Sequence, residues 1–200
     1  DFTKLDAHLK DFMINPISNS LSPILYYALY EHSQKLEEGS DIDKLKASAK
    51  YFNVSMGDEK HLQKEGKKLI ESDIIGYPKV GINIKTYWDF RDNYKNEFDK
   101  ISLLAFLAIK SILQQKAYCK ISNKFWLARM DGKASSCESE ELSAAIRKYS
   151  TEYQIRKIKN SLVDNWNLVT YSRYNRGFYI SLKLSLEKLV FEAEKQRANV

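Results

Sequence analysis

Two hundred residues, 44% apolar and 12% aromatic, are enough for one large or two small hydrophobic cores, which excludes a disordered chain. With 29% charged residues and a mean hydropathy of −0.49, the chain also lacks a membrane span: the longest apolar candidate, Ile101 to Ile109, is about half of the roughly 20 residues needed. The net charge of +6 is uneven, since residues 1–100 carry 15 Lys/Arg against 17 Asp/Glu (−2) and residues 101–200 carry 17 against 9 (+8). A basic half suits a polyanionic partner, because each neutralised phosphate releases counterions. Cys119 and Cys137 belong to no CxxC pair and have no His nearby, so a structural zinc site lacks ligands, and two such thiols fit a reducing cytoplasm. The chain begins at Asp1 with no basic lead before an apolar stretch, so no signal peptide is expected.

In chain order, Phe2, Leu5, Leu9, Phe12 and Met13 form an apolar stripe that predicts an opening helix within residues 1–18, ended by Asn15-Pro16. A first domain is expected over residues 19–90. Ser22 with Pro23 starts its first helix, Leu25 and Leu29 carry the buried side, and Gly39 stops it. Asp41 to Phe52 follows with Leu45, Ala49 and Phe52 inward. Asp58 then caps a third helix, in which Leu62, Leu69 and Ile70 point inward and Gly66 permits close packing. Ile74 to Pro78 and Val80 to Tyr87 have the composition of two strands in a hairpin. Residues 91–100, polar and without glycine, read as a linker.

The second half repeats the order over residues 101–183: a helix at Ile101 to Gln115, an extended piece at Tyr118 to Ile121, a helix at Asn123 to Arg129, a polar loop to Ser139, and a helix at Glu140 to Tyr149. Thr151 can cap the next helix, with Gln154 in capping-box register, and Ile155, Ile158 and Leu162 recur as a buried stripe. Its other face carries Tyr153, Arg156, Lys157, Lys159 and Asn160, types that contact phosphates and base edges. The bland alternative is an ordinary amphipathic helix with solvated charges. Asn165-Trp166-Asn167 ends it. Leu168 to Tyr171 and Phe178 to Ser181 then flank a polar tip that holds Arg173, Asn175 and Arg176, where Gly177 can supply a positive φ. Residues 184–200 finish as a charged helix with Leu186, Leu189, Val190 and Ala193 as a narrow apolar strip.

A basic helix running into a hairpin resembles the end of a winged helix-turn-helix. The whole chain, on that pattern, is similar to the tandem winged-helix proteins that plasmids, phages and conjugative elements use as replication initiators or regulators. The expected fold class is therefore mainly α with small β-hairpins (α+β), two tandem winged-helix domains with N- and C-terminal helical extensions. The resemblance implies double-stranded DNA as partner, a homodimer, and one domain that dominates dimerisation while the other makes more of the sequence-specific contacts. Arg156, Lys157 and Asn160 would read bases or phosphates, Lys159 would contact phosphate, and Arg173 and Arg176 would enter the minor groove or grip its phosphates. Initiator and repressor are not separated, and an assembly scaffold that touches no DNA stands as the alternative.

Chemistry finds little purchase. His8, His32 and His61 lack HxH, HxxxH or HExxH spacing, so neither a metal site nor metal-assisted tyrosine attack on DNA is expected. No GxxxxGK[ST] or GxGxxG loop occurs among the seven glycines. A binding protein without catalytic residues or cofactor is the expectation.

Overall fold

Apolar residues spaced for one helix face produce α1 (Leu21–Gln34), α2 (Asp41–Phe52) and α3 (Glu59–Glu71) in a computed structural model that describes residues 4–8, 21–71, 79–172 and 177–198. Ser40 and Asp43 form a reciprocal capping box at the start of α2, and the Ser40 hydroxyl holds the Asp43 carboxyl below its ordinary range. Asn53, in the left-handed conformation at φ 53°, closes that helix. The core of this unit gathers Leu25, Tyr27, Leu29, Leu45, Ala49, Phe52 and Leu62. Gly66 lets α1 and α3 approach closely, since a Cβ there would stand 2.5 Å from Tyr30 Cβ and 2.9 Å from the Tyr26 carbonyl oxygen.

Two expectations for the first half are corrected. Lys4–His8 is a strand, β1, paired antiparallel with β2 (Lys79–Asn83) so that Leu5 faces Ile82 and Ala7 faces Val80 in register; the expected N-terminal helix over residues 1–18 is not what this segment forms. Leu5 and Ala7 alternate with polar neighbours, and β2 offers a ladder of main-chain hydrogen bonds that a short helix in water cannot match. The expected second strand, Val80 to Tyr87, stops at Asn83, whose side chain accepts the Lys85 N–H at 2.9 Å and starts α4 (Ile84–Asp92). Its expected hairpin partner, Ile74 to Pro78, lies outside the described residues.

The chain divides into two units, Asp1–Lys100 and Ile101–Val200, and the boundary falls inside α5 (Glu97–Leu113). Within the second unit α5 is buried nearly all round, with Leu103, Leu104, Ala105, Leu107, Ala108 and Ile109 in the core. After β3 (Cys119–Ile121), the Ser122 hydroxyl accepts the Phe125 N–H to cap α6 (Asn123–Met130), and the Trp126 indole N–H donates to the Ala105 carbonyl at 3.2 Å. The expected helix Glu140 to Tyr149 is shorter: a single 3₁₀ turn at Ser139–Glu141 is followed by α7 (Ala144–Arg147). Extended Leu142 separates the two pieces, and Ser143 is tied to the Asp131 carboxylate through its N–H at 3.0 Å and its hydroxyl at 2.5 Å.

The last elements are α8 (Glu152–Trp166), β4 (Val169–Tyr171), β5 (Phe178–Ser181) and α9 (Leu186–Ala198). A three-stranded antiparallel sheet has β5 at its centre between β3 and β4. Alternation along β5 divides its contacts: Phe178 meets Trp126 edge to face at 6.0 Å, while Tyr179 packs with Leu189 and Ala193 of α9. Ser181 is buried, donating to the Ala117 carbonyl and accepting the N–H groups of Lys183 and Leu184, which turns the chain into α9. The molecule is mainly helical with small antiparallel sheets, an α+β protein.

Gly66→Ala is expected to lower the stability of the first unit by about 1–2 kcal/mol, overpacking outweighing the gain in helix propensity. Urea unfolding at equilibrium measures this. Wild-type stability would show that α1 and α3 do not need the bare glycine.

Candidate nucleic-acid interface

α8 begins where the Thr151 hydroxyl accepts the Gln154 N–H at 3.3 Å, and it ends at Asn167, left-handed at φ 52°, whose N–H donates to the Leu162 carbonyl. Ile155, Ile158 and Leu162 are buried, and Trp166 stacks on Phe106 of α5 with ring centres 4.6 Å apart. These contacts fix the rotation of the helix about its axis. Tyr153, Arg156, Lys157 and Asn160 are consequently all exposed, Tyr153 at 69%, and their spacing places them along one face. Among the described residues, no carboxylate pairs with Arg156.

Lys159 is placed differently from its neighbours. Its side chain is half-buried and its ammonium sits 3.4 Å from the centre of the Phe178 ring in β5, where loss of water brings the amine down to about 8. The structure thus brings Tyr153, Arg156, Lys157 and Asn160 together on the outer face and sets Lys159 at the inner edge. Arg173, Asn175 and Arg176 lie outside the described residues. Gly177, which follows them, has φ +90°, and a Cβ there would stand 2.6 Å from the Ile121 carbonyl oxygen, so glycine is required twice over, for conformation and for space.

Other basic residues of the second half serve the fold. Arg129 lies over the Phe125 ring, donates to Ser111 at 3.4 Å and to the Ala134 carbonyl at 3.1 Å, and burial pushes its guanidinium below the ordinary value. Lys124 pairs with Glu138 at 2.6 Å, Lys133 donates to the Glu141 carbonyl, and Arg147 donates to the carbonyls of Glu140 and Leu142. Together these cations fasten the 132–142 loop. The +8 of this half is therefore not all available to a partner. Sequence reasoning missed Phe178 as the seat of Lys159; strand composition was its only signal, and nothing in the sequence links the two.

A Ser–His contact occurs in the first unit, His32 Nδ1 to Ser48 Oγ at 2.9 Å, but the Ser48 hydroxyl is buried and donates to the Lys44 carbonyl at 2.8 Å. Nδ1 must then carry the proton, so this pair joins α1 to α2 and does not activate a nucleophile. Burial pushes the Cys119 thiol up, away from thiolate chemistry. Among the described residues, no group of three His, Cys, Asp or Glu side chains is placed to hold a metal, and no helix is long and apolar enough to cross a membrane. Comparison with protein-family models, curated proteins and solved structures found no match to this chain.

Lys159 should titrate near pH 8 by NMR of its Cε or Nζ, below the ordinary lysine value of 10.5. Between these values the unfolded chain holds more protons than the folded one, so this residue's contribution raises stability as pH rises through that window. Relative to Lys159→Met, the wild type should therefore gain on the order of 1 kcal/mol from pH 7 to pH 10, after allowance for solvent screening. Parallel pH dependences in the two proteins would show that the amine is hydrated like any surface lysine.

Proposed function

We propose that the second unit is a winged helix that binds double-stranded DNA, with α8 as recognition helix and the β4–β5 hairpin as wing. The observation that carries the reading is the outward face of α8, where Tyr153, Arg156, Lys157 and Asn160 lie exposed together while Ile155, Ile158 and Leu162 hold the opposite face in the core. A helix so presented fits the major groove, where Arg and Asn can meet base edges and Lys and Tyr the phosphates. The order of elements supports it too: helix, strand, three helices, then two strands, the first strand paired with the last. Lys159, half-buried, is left out of the phosphate contacts. Arg173, Asn175 and Arg176 enter the proposal from sequence alone, as wing contacts.

The likeness of this order to replication initiators and regulators of mobile elements makes that our reading of the biological role. Leu189 and Ala193 are committed to the sheet, so a homodimer would draw on other surfaces, such as exposed Leu186 and Phe191 of α9. The first unit favours a second reading, a protein-assembly surface, because it is nearly neutral and exposes Tyr51 and Tyr94, the latter at 92%.

An Arg156→Ala/Lys157→Ala variant should bind a random-sequence duplex pool at least about tenfold more weakly at low salt, with its log affinity against log salt shallower by about 1.8. Fluorescence anisotropy across a salt series makes the measurement. Equal slopes would remove α8 from the account, and a protein partner captured equally at high salt would favour the assembly reading.

A further inference from the structure

We infer that Lys159 is a positioning residue: its ammonium, seated on the Phe178 ring, sets the base of the β4–β5 hairpin against α8 and does not touch phosphate. The inference rests on the proposed DNA-binding role of α8 and the hairpin, and refines how that site is built. Along α8, Lys159 follows Ile155 by four residues and precedes Leu162 by three, and both of those are buried, so the lysine stem lies on the flank of the core and not on the outer face. The stem delivers the charge onto a ring that cannot shift freely. Phe178 is itself buried, its edge contact with Trp126 leads to an indole hydrogen-bonded to α5, and Gly177 just before it lies against the Ile121 carbonyl of β3.

At 3.4 Å from the ring centre the ammonium is in direct contact with the π-face, and among the described residues no carboxylate competes for it. Partial exclusion of water strengthens the attraction between cation and ring. A lysine that grips phosphate needs the opposite, a mobile head in solvent. The pair joins the helix proposed to enter the groove to the strand that leaves the wing, so its geometry sets the angle at which the two could meet a duplex together.

The test uses the full chain with Lys159→Met, Lys159→Arg, Phe178→Leu and the Met/Leu double variant. Without DNA, hydrogen exchange at the Tyr171, Phe178 and Tyr179 amides should quicken about three- to tenfold in Lys159→Met and recover in Lys159→Arg, while the urea midpoint of Lys159→Met stays at or above the wild type. With a duplex recovered from a random pool, Lys159→Met and Phe178→Leu should each bind about three- to tenfold more weakly at unchanged salt slope, and the double variant no more weakly than the weaker single. Unchanged exchange in Lys159→Met overturns the inference, as does a salt slope shallower by about 0.9 in that variant, which marks a phosphate contact. Altered exchange in a protein that binds no duplex would instead uphold the positioning role and overturn the proposed function.

Discussion

Ile155, Ile158 and Leu162 lie along one side of α8, and taking each from water contributes roughly 1.5–3 kcal/mol, more than any surface charge on the helix could contribute in opposition. That burial leaves one rotational setting for the helix. Once it is adopted, Tyr153, Arg156, Lys157 and Asn160 must face solvent, and Lys159 must fall at the boundary between core and surface. The Phe106–Trp166 stack holds the far end, and the Thr151 cap starts the near one. Any partner of α8 meets the helix in this single orientation.

The same burial sorts the cations of the second unit. A guanidinium or ammonium that leaves water in part needs a ring face, a carbonyl or a carboxylate nearby, and half-buried Arg129, Lys133 and Lys159 each have at least one. The outer face of α8 carries the exposed charges of Arg156 and Lys157, whereas these half-buried cations are engaged within the fold. Net charge alone would have treated both groups alike.

The first unit follows a different logic. Among the described residues, α1, α2 and α3 supply much of its core and β2 and α4 add Ile82 and Tyr87, with Gly66 allowing close contact between α1 and α3, and its short sheet joins β1 near the chain start to β2 after those three helices. Pairing between segments so distant in sequence closes a long loop, whose entropic cost grows only slowly with length and is offset by the ladder it permits. This unit shares the run of three helices with the second but not the described hairpin, which separates the two halves in character as well as in charge.

Local signals that act within a few residues were readable in the amino-acid order itself. The caps at Ser40, Thr151 and Asn83's neighbourhood differ in this respect: Ser40 and Thr151 mark helix starts by their own chemistry, as the stripe of Ile155, Ile158 and Leu162 marks a buried face and Gly177 a left-handed turn. Asn83 stands among strand-forming residues, which masked its role as the cap of α4. The outer face of α8 was legible for the same reason, since helical periodicity places Tyr153, Arg156, Lys157 and Asn160 opposite the apolar stripe. Interactions between distant segments were not. Residues 4–8 carry both helical and alternating patterns, and only the arrival of β2 decides for the strand; Lys159 resembles its charged neighbours until the fold brings Phe178, 19 positions along the chain, beneath it. Composition and spacing determine which faces seek burial, whereas the tertiary structure decides which partners meet there, because contact energies depend on distances in space that the chain order does not contain.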